Sequence, residues 1–208
     1  AQSALAPYLR FLAHVSDGQH AIQVGLPAAN PPSADGAAAA RTHGMPAFSH
    51  ALLKPDEIVD ETLDRLVRWL PDGPLPKTAV EATESLRTAA TDRRRAWTLA
   101  VLQDADSSPS DIPRTGIIAA ALQLHFARLA ASLDPESLTH VADAACPVCG
   151  SAPMTSAVVG WPNAFNTRYC ACSLCGTLWN VVRVKCLYCG ATDGITYRMI
   201  EEQPETIK

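Results

Sequence analysis

No cysteine occurs in the first 145 of the 208 residues, and that gap excludes a disulfide framework spread through a short secreted chain. There is also no charged start followed by a long apolar run. The chain opens Ala-Gln-Ser-Ala-Leu-Ala-Pro without an initiator Met, which reads as a trimmed chain or a fragment and not as a secretory signal. The most apolar stretch, Ile117 to Leu133, is interrupted by Gln123, His125 and Arg128, so it is expected to be a buried helix and not a membrane span. Cationic charge is scarce as well. The net charge is −4, and from Cys146 onward five basic residues face four acidic ones, leaving an acidic helical body without the footprint of a phosphate-backbone binder. No glycine-rich phosphate loop, H-E-x-x-H or G-x-S-x-G is present, and the six histidines (His14, His20, His43, His50, His125 and His140) are scattered. With 48% hydrophobic and 18% charged residues the composition is nonetheless globular.

What is present is concentrated between Cys146 and Gly190. One device is used three times: Cys146-Pro-Val-Cys149-Gly150, Cys172-Ser-Leu-Cys175-Gly176 and Cys186-Leu-Tyr-Cys189-Gly190. Two cysteines separated by two residues place both sulfurs on one metal ion, and the turn between them points backbone N–H groups at the thiolates. The following glycine takes the φ > 0 conformation by which the chain leaves. A lone C-x-x-C also suits a redox motif, whereas three copies within 45 residues point to tetrahedral S4 coordination. The spacing favours one site from Cys146, Cys149, Cys172 and Cys175, close to the zinc-ribbon and rubredoxin pattern, leaving Cys186 and Cys189 as half a site. Cys170 is expected on the opposite strand face, as a small buried thiol and not a ligand.

The sequence before the knuckles is helical. Leu5, Tyr8, Leu9, Leu12 and Val15 recur at helical spacing, with continuation past Gly18 through Ala21, Ile22 and Val24. Residues 25–50, broken by prolines and glycines, read as a long loop. Pro55 is expected as the first-turn proline of a helix with Ile58, Leu63, Leu66, Val67 and Leu70 inside. Helices follow at 78–89 and 92–102, with Trp97, Leu99, Val101 and Leu102 as core candidates, and Arg93-Arg94-Arg95 as a solvated face. A helix from Pro113, apolar nearly all round and carrying His125 as a core or boundary histidine, should be the centre of the bundle. A short helix capped by Asp134 leads to the knuckles. Residues 154–159, 168–172, 178–184 and 195–200 then read as short strands. The expected architecture is mainly α: an α-helical bundle domain over 1–143, then a rubredoxin-like or zinc-ribbon β module over 144–208 whose second metal site is incomplete. A module of this size buries too little apolar surface to be stable alone, so metal supplies folding free energy.

The knuckles, together with Arg168-Tyr169, the run Trp179-Asn-Val-Val-Arg-Val-Lys-Cys186 and Tyr8-Leu-Arg-Phe-Leu12, resemble the formate dehydrogenase accessory protein family, FdhE. The similarity is strongest over about residues 146–200 and collinear through the helical part. The resemblance implies a helical domain followed by rubredoxin-like modules built from four C-x-x-C pairs, with the fourth pair and a C-terminal helical segment expected beyond Lys208. It implies iron as the metal, zinc being the alternative, and a cytosolic, non-enzymatic maturation factor that binds the catalytic subunit of respiratory formate dehydrogenase. The metal ligands would be Cys146, Cys149, Cys172, Cys175, Cys186 and Cys189. The alternative is a nucleic-acid-binding zinc ribbon using Arg168, Arg183, Lys185 and Arg198, with Tyr169, Trp179 or Tyr188 stacking on bases. Redox work at an S4 iron or at the under-liganded Cys186/Cys189 pair is a third reading. Trp161, Trp179 and Tyr188 are expected to be the small module's core before they are partner surface.

Overall fold

The computed structural model describes residues 5–198, which form six α-helices and a three-stranded sheet. They fall into two compact units, residues 5–30 with 51–129, and residues 31–50 with 130–198.

The first unit is helical, built from α1 (Ala6–Ile22), α3 (Glu57–Trp69), α4 (Lys77–Thr88), α5 (Thr91–Leu102) and α6 (Ile112–Ala131). α6 is its core: Ile117, Ile118, Leu122, Phe126 and Leu129 are all buried, as expected of a helix apolar nearly all round. His125 lies among them at 4% exposure, its ring edge-on to Phe126, and burial pushes its pKa down so that it stays neutral at pH 7. Pro55 does not open α3. Asp56 does, its side chain accepting the N–H groups of Ile58 and Val59, because a carboxylate satisfies two orphan donors that a proline cannot reach. Val59, Thr62, Leu63, Leu66 and Val67 form its buried face.

α1 runs past Gly18, as the pattern predicts, for a packing reason. A Cβ at Gly18 would lie 2.7 Å from Trp69 Cε3, so glycine lets α1 meet α3 closely. Beside it His14 stacks on Trp69 at 4.3 Å and donates from Nε2 to the Leu70 carbonyl at 2.9 Å. The apolar stripe at the start of α1 is not buried: Leu5, Tyr8, Leu9 and Leu12 are exposed, and only Val15, Gly18 and Ile22 are covered. Among the α5 core candidates Leu102 is buried, Trp97 and Val101 are half-buried and Leu99 is exposed, while Thr98 takes the inward position. Of the three arginines Arg93 is exposed, as a solvated face requires, whereas Arg94 and Arg95 are part-buried. Arg94 pairs with Asp64 and Arg95 with Asp60 on α3, and Arg93 and Arg114 lie 5.1 and 4.2 Å from the Trp97 ring centre. The acids at helical spacing on α3 draw Arg94 and Arg95 in.

In the second unit, residues read as loop contain α2 (Ala34–Thr42). Ser33 caps it by accepting the Gly36 N–H, and the alanines of 37–40 carry enough helix propensity to offset Gly36. The sheet has order β1-β2-β3, all antiparallel, from β1 (Pro153–Val159), β2 (Thr167–Cys172) and β3 (Leu178–Val181). β3 stops earlier than expected. The next carbonyls, of Val182, Arg183 and Lys185, are taken by Arg168 Nη1 at 3.4, 3.4 and 2.7 Å and not by a neighbouring strand. Residues 195–198 form no strand, and the remainder of that expected run lies outside the described residues. Trp179 is core, but Trp161 and Tyr188 are 41% and 73% exposed. With the small apolar side chains Val148, Val158, Val159 and Val181 and five buried sulfurs inside, this unit needs only one large ring.

Candidate metal centre

Each knuckle closes on itself with the same two backbone bonds. In the first, Gly150 N–H donates to Cys146 O at 2.8 Å and Cys146 N–H to Ser151 O at 2.9 Å. In the second, Gly176 donates to Cys172 O at 3.2 Å and Cys172 to Thr177 O at 3.0 Å; in the third, Gly190 donates to Cys186 O at 2.9 Å and Cys186 to Ala191 O at 2.7 Å. The glycines have φ of +76°, +72° and +74°, where a Cβ is penalised. The sequence repeat is therefore a structural repeat.

The first two knuckles meet. Cys146 Sγ lies 3.5 Å from Cys175 Sγ, and Cys149 Sγ 3.4 Å from Cys172 Sγ; all four sulfurs lie within 4.8 Å of one another. These separations are far above a disulfide's roughly 2.05 Å. They fall within a few tenths of an ångström of the edge of a tetrahedron with metal–sulfur bonds of about 2.3 Å, about 3.8 Å. All four cysteines are buried. The cluster could hold a metal ion, and its donor set, four soft thiolates in a closed site, suits iron or zinc equally.

The surroundings favour thiolates. Leu174 and Cys175 point their N–H groups at Cys172 Sγ, both at 3.4 Å, and Thr177 Oγ1 lies 3.0 Å from Cys175 Sγ. Hydrogen bonding from Cys146 and Cys149 holds the Cys175 thiol down to about 7 and Cys172 lower still, whereas Cys149 is pushed up, first by its bond with Cys146. Four crowded sulfurs thus share protons unequally until a cation replaces them.

Cys186 and Cys189 are not brought to this cluster. Cys186 is half-buried and Cys189 exposed on a formed but separate knuckle, where the N–H groups of Cys189 and Tyr188 hold the Cys186 thiol below its ordinary range. Cys170 is fully buried and stays outside the four-sulfur cluster, as expected, but its face is not the one expected. Burial along β2 alternates so that Cys170 and Cys172 go together, since residues two apart on a strand share a face.

Two contributors escape a reading of the knuckles alone. Residues 47–50 form a strap over the first one: Ala47, Phe48 and His50 donate their N–H groups to the carbonyls of Pro147, Val148 and Cys149 at 3.1, 2.6 and 2.9 Å, and His50 Nδ1 donates to Cys149 O at 2.8 Å. Nothing local in those residues signals it. The other is Thr177, for which the position directly after a knuckle glycine was the available signal.

Two family descriptions match this chain, "FdhE, N-terminal" over residues 1–143 and "FdhE, central domain" over 145–183. The chain belongs to the FdhE family. An FdhE homolog of Rhizobium meliloti (strain 1021) is 36% identical over 208 residues, covering 99% of this chain and 68% of that protein. One from Stutzerimonas stutzeri (strain A1501) is 34% identical, with 98% and 67% covered. The crystal structure of the FdhE protein from Pseudomonas aeruginosa superimposes with a TM-score of 0.78 at 29% identity, covering 97% of this chain and 69% of that one. The helical region followed by a small sheet bearing the cysteine cluster is thus the FdhE fold. The chain spans about two thirds of the length of the relatives it matches. FdhE proteins take part in formate dehydrogenase maturation. Among the described residues no helix is long and apolar enough to cross a membrane.

Proposed function

We propose that this chain is a cytoplasmic accessory protein, not an enzyme, that binds the catalytic subunit of respiratory formate dehydrogenase and assists its assembly. A metal-stabilised cysteine module carries the binding. The observation that supports the reading most is the closed, buried four-sulfur cluster in an FdhE chain. A site without an open coordination position stabilises a fold and does not activate a substrate. Iron is the metal of choice on the family resemblance, held by Cys146, Cys149, Cys172 and Cys175, with Cys186 and Cys189 as two ligands of a second, open position. The boundary between helical domain and module is placed at about residue 143, in keeping with the two matched family segments.

Two of the four cations of the nucleic-acid reading, Arg168 and Lys185, are already engaged within the second unit. Arg168 is spent on three carbonyls and the Ser156 hydroxyl, and Lys185 is paired with Asp143.

Anaerobic purification with metal analysis, an absorption spectrum and co-purification of tagged formate dehydrogenase catalytic subunit tests the proposal. Iron with thiolate charge-transfer bands and a retained subunit are expected. Stoichiometric zinc with no retained subunit, under conditions where a longer FdhE relative retains it, would overturn it.

A further inference from the structure

Three consecutive peptide groups of the first knuckle turn their carbonyls to the strap: Ala47, Phe48 and His50 donate to Pro147, Val148 and Cys149 O, and the His50 ring donates again to Cys149 O. A trans peptide is planar, so its N–H lies on the edge opposite its C=O. Two of those opposite edges serve the ligand turn. The amide between Val148 and Cys149 carries the N–H that is the backbone donor to the Cys146 sulfur. The amide between Cys149 and Gly150 carries the N–H that closes the knuckle on Cys146 O at 2.8 Å. Strap and ligand turn therefore grip opposite edges of the same amides. A donor to a thiolate also polarises its own amide, which makes the Val148 carbonyl a stronger acceptor for Phe48.

The strap has little else to hold it. Apart from the short helix His50–Leu52, every hydrogen bond of residues 47–50 among the described residues ends on the knuckle. Met45 N–H on Ala40 O, at 2.8 Å, joins the strap to α2, and a helix of nine residues is too short to stand unaided. No described residue from 31 to 50 is buried, so this segment has no core of its own. The sheet differs. It has backbone ladders on both sides of β2 and buries Val158, Val159, Trp179 and Val181. The knuckle in turn depends on what draws its sulfurs together, since four thiols within 4.8 Å of one another are bound there by a cation. A segment held by backbone bonds to one turn, without apolar burial, opens at low cost once that turn loosens.

We infer that residues 31–50 form a latch, closed on the first knuckle while the four-sulfur centre holds a metal ion and released, ahead of the sheet, when the ion is removed. Loaded and metal-free protein then present different surfaces, because release bares the strap and the three carbonyls beneath it. The latch needs a metal ion at the cluster, and neither the ion's identity nor the partner proposed above enters it.

Hydrogen–deuterium exchange of the full chain, loaded with zinc and after chelation under reducing conditions, tests the order of opening. Amides of residues 44–51 should exchange about tenfold faster or more without metal, and those of residues 153–172 should change less. Exchange in 44–51 that ignores the metal, or that rises only as much as in 153–172, would overturn the proposal. A second arm starts from the strap, because coupling between two sites acts in both directions. Phe48→Pro removes the ring and the N–H on Val148 O, whereas Phe48→Ala removes the ring alone. Zinc should pass to a chromophoric chelator about tenfold faster from Phe48→Pro than from Phe48→Ala, the worth of one backbone hydrogen bond. Equal rates would mean that the strap does not hold the centre closed, and the latch would be discarded.

Discussion

Alanine at each knuckle glycine separates the contributions of backbone conformation and of the strap. Gly150, Gly176 and Gly190 sit at nearly the same positive φ, so Ala costs each about 1–2 kcal/mol for the left-handed conformation, part of it offset by the stiffer unfolded chain. Their surroundings differ. Gly176 and Gly190 have nothing within 4 Å of the added methyl, whereas at Gly150 it lands 3.0 Å from Pro46 Cγ and 3.8 Å from His50 Nδ1, pressing on the strap. Overpacking of that kind adds about 1–3 kcal/mol. Because folding of the cysteine unit and metal binding are linked, the losses appear as weaker metal affinity, with about 1.4 kcal/mol per tenfold. Competition with a chromophoric chelator should give Gly176→Ala an affinity about tenfold lower, and Gly150→Ala about a hundredfold lower or worse. Gly190→Ala, on a knuckle outside the cluster, should leave the tight site unchanged. Equal affinities for Gly150→Ala and Gly176→Ala would refute the strap's part in the centre, and a loss at Gly190→Ala matching theirs would refute the separation of the third knuckle.

Cys146→Ala and Cys175→Ala each remove a buried ligand and should abolish stoichiometric metal at the tight site while leaving the helical circular dichroism largely intact; metal analysis and far-ultraviolet spectra check this, and retained metal would break the assigned pairing. Metal affinity should rise with pH and fall as pH drops through about 7, where Cys175 takes up a proton, by about tenfold per pH unit for each thiol that yields its proton to the metal; chelator titrations at several pH values give the slope. Thr177→Val removes the hydroxyl on Cys175 Sγ and should weaken metal binding severalfold and shift the charge-transfer bands of an iron-loaded sample, whereas unaltered bands would mean that the contact is incidental. In the helical unit, Asp64→Ala leaves the Arg94 guanidinium, whose side chain is 12% exposed, without its partner and should cost about 1–3 kcal/mol in urea unfolding.

Much of this protein is written in short-range pattern. C-x-x-C-G closes the same turn wherever it occurs, because two thiols, a run of N–H groups and one φ > 0 glycine are contained within five residues. The three knuckles, and the four cysteines that meet, could therefore be named from spacing. The helices after Pro55 follow from apolar residues at i, i+3 and i+4, and the burial of Ile117 to Leu129 from a helix with no polar side to give to water. Tertiary structure alone decided the rest. Arg94 and Arg95 look like solvated charge until α3 presents Asp64 and Asp60. Leu5 to Leu12 look like a core stripe, yet stand exposed because periodicity says which residues share a face and not whether anything covers it. The strap of residues 47–50 lies about a hundred residues away in sequence from the carbonyls it fills, so no local pattern could announce it. Backbone donors carry no side-chain signature, and their partners are settled only when distant segments are brought together.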